Sequence, residues 1–126
     1  MAGSKGSKYY NIFLDYNIWL KRKDDESKVL TEEHLSLLNG IDKSGSLAAA
    51  ATNLKISYRK AWGIIRDAES ILGFHLIDKH RGGKSGGHSD LTEEGKSLLI
   101  AYREMREDFD ASVKRIVKDF FQKINS

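Results

Sequence analysis

Three of the four histidines in this 126-residue sequence, His75, His80 and His88, stand near one another along the chain, and imidazole is the commonest metal-binding side chain. There is no cysteine, and no well-placed set of carboxylates accompanies them. They read as surface or phosphate-contacting side chains, not as a zinc site. Lys84-Ser85 after Gly82-Gly83 invites comparison with a nucleotide-binding phosphate loop. That motif needs a glycine where Asp78 stands and a helix opening directly after the lysine and serine, where this chain has Gly86-Gly87. Asp24-Asp25-Glu26 is a solvated turn, not a catalytic cluster. No nucleophile stands beside a base that would activate it. An enzyme is therefore not expected, and neither is a metal or a cofactor. The chemistry that remains is anion binding. Ser57-Tyr58-Arg59-Lys60 supplies a helix cap, an aromatic ring and two cations in succession. A helix opening there aims free backbone amides and both cations at a negatively charged partner.

The charge distribution singles out the same region. The net charge is +3. Residues 1–52 carry seven basic and seven acidic side chains, and residues 90–126 carry seven and eight. Residues 53–89 carry seven basic side chains (Lys55, Arg59, Lys60, Arg66, Lys79, Arg81, Lys84) against three acidic ones (Asp67, Glu69, Asp78). One basic third in an otherwise balanced chain is the footprint of a phosphate-binding surface, although a solvated face gives the same count. The composition, 40% hydrophobic and 31% charged, is that of a folded protein, and the length suits one domain with a modest core. No apolar run approaches the roughly 20 residues that span a bilayer. Residues 1–8 lack the apolar core of a signal peptide and read as a flexible leader. A cytoplasmic protein without disulfides is expected.

These residues need elements to position them. Ile12, Leu14, Tyr16, Ile18 and Leu20 alternate with Phe13, Asp15, Asn17, Trp19 and Lys21, a period of two that predicts a strand. After a polar turn, Val29-Leu30 returns as its partner, making a hairpin. Thr31 caps a first helix that carries Leu35, Leu38 and Ile41 on one face and stops at Gly45. Ser46 caps a short alanine-rich helix over residues 47–53, and Leu54-Lys55-Ile56 turns the chain. Ser57 caps a third helix, 57–72, ended by Gly73. Its Ala61, Ile65, Ala68 and Leu72 form a core stripe, leaving Arg59, Lys60, Gly63 and Arg66 off it. Tyr58 and Trp62 flank the stripe: Trp62 is assigned to packing over stacking on a ligand, and Tyr58 fits either. Strands are expected at 74–80 and 88–91 around the glycine-rich loop. Thr92 then caps a helix in which Leu98, Tyr102, Met105, Phe109, Val113, Ile116, Phe120 and Ile124 recur at steps of three or four.

The order of elements predicts a mainly α fold with small β-hairpins: a winged helix-turn-helix with an N-terminal hairpin and a long C-terminal helix. In such a fold the third helix presents its first turn to base edges in the major groove of double-stranded DNA. Ser57, Tyr58, Arg59, Lys60, Gly63 and Arg66 are the expected contacts, with Gly63 permitting close approach. The loop 81–88 is the expected wing, with Arg81, Gly83, Lys84 and Ser85 at phosphate or in the minor groove.

Four segments carry a family resemblance: Asp42-Lys43-Ser44-Gly45-Ser46, Ile56-Ser57-Tyr58-Arg59-Lys60-Ala61-Trp62, Gly82-Gly83-Lys84-Ser85-Gly86-Gly87 and Leu91-Thr92-Glu93-Glu94-Gly95. In order and spacing, over roughly residues 15 to 105, the chain resembles the N-terminal DNA-binding domain of ModE-type molybdate-responsive transcriptional regulators, which is related to the winged helix of LysR-type regulators. The resemblance implies a homodimer on a palindromic operator. The sequence departs from the family at Gly63, where an acidic residue is frequent, and at Ser85 and His88, which interrupt a glycine run. Fuller family members add C-terminal oxyanion-binding domains; without them, molybdate binding is not expected of this chain.

The apolar stripe of the last helix exceeds what one small domain can cover, so a homodimer through Tyr102, Met105, Phe109, Val113, Ile116 and Phe120 is expected. The expected organisation is a leader at 1–8, a winged domain at 9–91 and a dimerising helix at 92–126. The competing function is a winged-helix module that binds protein and not DNA.

Overall fold

The structure, a computed structural model, describes residue 6 and residues 8–80 and 88–125. Its elements are β1 (Leu20–Lys21), β2 (Lys28–Leu30), α1 (Glu32–Ser44), α2 (Leu47–Asn53), α3 (Tyr58–Leu72), β3 (Ile77–His80), β4 (His88–Leu91) and α4 (Glu93–Asn125). The chain folds as two compact units. One takes in Ile18–Ile100; the other joins the described residues of Met1–Asn17 to those of Ala101–Ser126.

In the first unit each helix begins where a side chain satisfies an orphan amide. Thr31, Ser46 and Ser57 accept from the backbone N–H groups of His34, Ala49 and Lys60. Gly45 and Gly73 end α1 and α3 in the left-handed conformation. α1 and α2 cross closely at Gly40, where a Cβ would lie 2.8 Å from that of Ala50. Leu30, Leu37, Leu38, Ile41, Leu47, Ile65 and Leu76 are fully buried in this unit. Burying each contributes about 1.5–3 kcal/mol.

Two strand expectations need correction. The alternating run from Ile12 is extended β-ladder only at Leu20–Lys21. Its partner β2 is three residues long because Thr31 already caps α1, so residues 12–19 have no ladder to join. The single-residue bridges at Tyr10 and Phe13 do not extend into a strand. Lys28 Nζ instead lies 4.9 Å over the Trp19 ring beside the hairpin. The strand expected from Phe74 begins at Ile77. The Leu76 N–H is committed to Glu69 and not to the opposite strand, so Leu76 keeps only its C=O bond to the Thr92 N–H, in register with the Ile77–Leu91 pair. From Ile77 the hairpin is regular, pairing Ile77 with Leu91 and His80 with His88.

In the second unit the fully buried residues of the helix share only Tyr102 with the apolar stripe that the pattern marked. Tyr102, Val117 and Phe121 are buried, whereas Phe109, Ile116 and Phe120 are exposed and Met105 and Val113 half-buried. Between Tyr102 and Val117 the buried stripe passes through Arg106 and Asp110, whose charge hid it. Both are met by Tyr16. Its hydroxyl donates to Asp110, and its ring lies 5.4 Å from the Arg106 guanidinium, which also bonds Asp110 at 3.3 Å. The shared hydrogen bond holds the Asp110 carboxyl below its ordinary pKa and raises that of the Tyr16 phenol.

Candidate nucleic-acid interface

α3 has two opposed faces. Ala61, Ile65 and Ala68 are buried to within 1%, and anchor the helix. Arg59 and Arg66 are exposed on the other side, with half-buried Gly63 between them at helical spacing. Lys60 is exposed, and Tyr58 is 41% exposed. Trp62 is half-buried. The link from α2 is short because Lys55 adopts a left-handed φ of 60° and Ile56 N–H returns to Ala51 O at 3.1 Å. Ser57 Oγ accepts the Lys60 amide at 3.0 Å, which fixes the first turn.

That first turn runs against helix electrostatics. α1 and α4 place Glu32, Glu33 and Glu93, Glu94 at their positive ends. α3 has no acidic residue in its first turn and carries Arg59 and Lys60 there instead. Cations at a helix N-terminus cost roughly 0.3–1 kcal/mol. Nothing in the first turn itself offsets that, and an external anion would.

The β3–β4 hairpin is tied to the helices at its root. Ser89, a buried polar residue, donates its N–H to Gly45 O at 2.9 Å, where α1 ends. Thr92 caps α4 by accepting the Gly95 N–H at 3.0 Å. The wing residues expected to touch DNA, Arg81, Gly83, Lys84 and Ser85, lie outside the described residues, as does the lysine–serine pair of the phosphate-loop comparison. His75 and His88 each lie 3.6 Å from a carboxylate, of Glu69 and Asp90. Among the described residues no group of three His, Asp or Glu side chains is arranged to hold a metal ion.

Sequence reasoning passed over Glu69. It is 11% exposed and accepts the backbone N–H groups of Leu76 and Ile77. The signal was an acidic residue in the last turn of a helix, where the dipole disfavours it.

Of the residues expected to pair two copies, Tyr102 is buried within the chain itself. Phe109, Ile116 and Phe120 are 45%, 52% and 51% exposed, an apolar row at steps of four and seven.

The model of the family described as "Bacterial regulatory helix-turn-helix protein, lysR family" matches residues 33–96. The chain is 31% identical over 93 residues to the molybdenum-pterin-binding protein MopB of Rhodobacter capsulatus, covering 74% of this chain and 33% of that protein. It is 37% identical over 68 residues to the DNA-binding transcriptional dual regulator ModE of Escherichia coli K12, covering 54% of this chain and 26% of that one. It thus spans about a third or less of the length of these relatives. Among solved structures it is similar to the DNA-binding domain in the crystal structure of the CbnR_DBD–DNA complex. The TM-score is 0.54 at 24% identity, over 68% of this chain and 93% of that one, a likeness of fold.

Proposed function

Because the chain belongs to the LysR family of bacterial regulatory helix-turn-helix proteins, we propose that it reads double-stranded DNA as the operator-binding module of a ModE-type transcriptional regulator. The observation that carries this is the first turn of α3, where Arg59 and Lys60 stand exposed with no acidic residue to complement the dipole, on a helix whose other face is locked into the core. Phosphate is the anion that repeats along a groove wide enough to admit a helix. Ser57, Tyr58, Arg59, Lys60 and Gly63 face base edges and Arg66 a flanking phosphate. Arg81, Gly83, Lys84 and Ser85 make the wing contact.

The module works as a homodimer whose copies meet through Met105, Phe109, Val113, Ile116 and Phe120. Tyr102, already buried, supports that helix from within its own chain. No helix among the described residues is long and apolar enough to cross a membrane, and the bacterial cytoplasm is where a DNA reader meets its operator.

The test is selection of bound fragments from a random duplex pool, followed by titration of the selected duplex at several salt concentrations. The logarithm of affinity is expected to fall linearly with the logarithm of salt, by about 0.9 for each phosphate neutralised. Arg59→Ala and Lys60→Ala should each weaken binding, by about 1–3 kcal/mol where the side chain reads a base. Absence of salt-dependent binding to any duplex overturns the proposal. A protein partner held equally well by an Arg59/Lys60/Lys84 triple alanine variant would favour the interaction module instead.

A further inference from the structure

The Glu69 carboxylate sits at a junction of three elements. Its Oε2 accepts the Leu76 N–H at 2.7 Å and the Ile77 N–H at 3.3 Å. The same stretch is gripped from the other side by the cap of α4. Thr92 Oγ1 donates to the His75 carbonyl at 2.7 Å, and the Thr92 N–H donates to the Leu76 carbonyl at 3.0 Å. Gly95 packs so closely that a Cβ there would lie 2.3 Å from the Leu76 carbonyl oxygen. The Leu76 side chain is fully buried. The root of the β3–β4 hairpin is therefore clamped between the last turn of α3 and the first turn of α4, and Glu69 is the tie that comes from α3.

We infer that Glu69 is a positioning residue: it fixes the β3–β4 hairpin against α3 so that helix and hairpin engage one duplex together. The inference rests on the DNA reading proposed above. Two contact surfaces on one rigid body bind with the advantage of a high effective concentration, and a loosened link forfeits it without altering either surface. A carboxylate suits the task. It accepts two backbone N–H groups in charge-assisted bonds, which are shorter and stronger than neutral ones. At 11% exposure it is little screened by salt. It also takes its bonds at the start of the strand, so the pairing from Asp78 to His80 is left whole.

The experiment uses the full chain and the duplex selected for it. Glu69→Ala, Glu69→Gln and Glu69→Asp are each made in the parent and in a Lys84→Ala background, the lysine belonging to the loop between β3 and β4. In the parent, Glu69→Ala is expected to weaken binding by about tenfold and to lower the salt slope, because the hairpin contact lapses. Glu69→Gln keeps an oxygen acceptor and should stay within about threefold. In the Lys84→Ala background Glu69→Ala should cost only about threefold, since part of the contact it positions is already lost. Amide exchange should quicken at Leu76 and Ile77 and not at Ile65.

An equal loss in both backgrounds overturns the inference, as does unaltered exchange at Leu76. Should Glu69→Ala fail to fold, Glu69→Asp, one methylene too short to reach both amides, decides the same cycle. A parent protein that binds no duplex overturns the DNA reading instead, while the exchange measurement still decides whether Glu69 holds the hairpin.

Discussion

Among the described residues, a Cβ at Gly63 would meet nothing beyond its own stretch of helix within 4 Å, whereas one at Gly40 or Gly95 would collide with Ala50 or the Leu76 carbonyl. The last two glycines are explained by the fold. Gly63 is not: in mid-helix it costs about 0.5–1 kcal/mol relative to alanine, and its place between Arg59 and Arg66 fits the close approach to DNA proposed above. Gly63→Ala is expected to raise unfolding stability by about that amount. Gly63→Leu should fold equally well and weaken duplex binding by at least about tenfold by holding the helix off the groove. Titration of both variants beside thermal unfolding checks this; a Gly63→Leu protein that binds like the parent would show that this face does not meet DNA.

At the level of elements, the first turn of α1 carries a titratable cap. His34 occupies the position where a capping box usually has Glu or Gln. Its Nδ1 accepts the Thr31 N–H at 3.1 Å, and Thr31 Oγ1 lies 3.5 Å from the His34 N–H. Burial lowers the pKa of His34 from its ordinary 6.5, with Glu33 and Asp67 opposing the shift. A base whose folded pKa is depressed favours the fold in its neutral form. Its contribution is fully present above pH 6.5 and is lost as pH falls through the lower folded value. Protonated, the ring also gives up its acceptor. The N-terminus of α1 should therefore loosen below pH 6.5, seen as faster amide exchange at Leu35. His34→Gln, which keeps the acceptor without titrating, should flatten that profile. The profile of the parent persisting in His34→Gln would place the titration elsewhere.

Taken whole, the molecule leaves an apolar row on α4 uncovered, Phe109, Ile116 and Phe120, while the stripe beside it is filled from the N-terminal segment. The homodimer proposed above would cover such a row through a two-fold, self-complementary contact. Phe109→Asp or Ile116→Asp should give a monomer at micromolar concentration by light scattering, with the fold retained. Affinity for a duplex with two half-sites one turn apart, roughly 34–36 Å, should fall by about 10²-fold or more while a single half-site is bound as before. A parent chain that is monomeric at that concentration would remove the dimer.

The sequence by itself determined the helices and their ends. Thr31, Ser46, Ser57, Gly45 and Gly73 act on amides and carbonyls within a few residues, and short-range chemistry is written in short-range pattern. It also separated the buried stripe of α3 from its cationic face, because 3.6-residue periodicity sorts side chains before any partner is known. Only the tertiary structure decided the rest. Whether residues 12–19 were strand depended on a partner that β2 is too short to supply. Which face of α4 is buried depended on Tyr16 bonding Asp110 and packing its ring on Arg106, a long-range pairing that local hydropathy counts as solvent-facing charge. Glu69 became legible once Leu76 and Ile77 folded back onto it, since a carboxylate reveals its task through the amides it meets, and those are brought to it by the turn after Gly73.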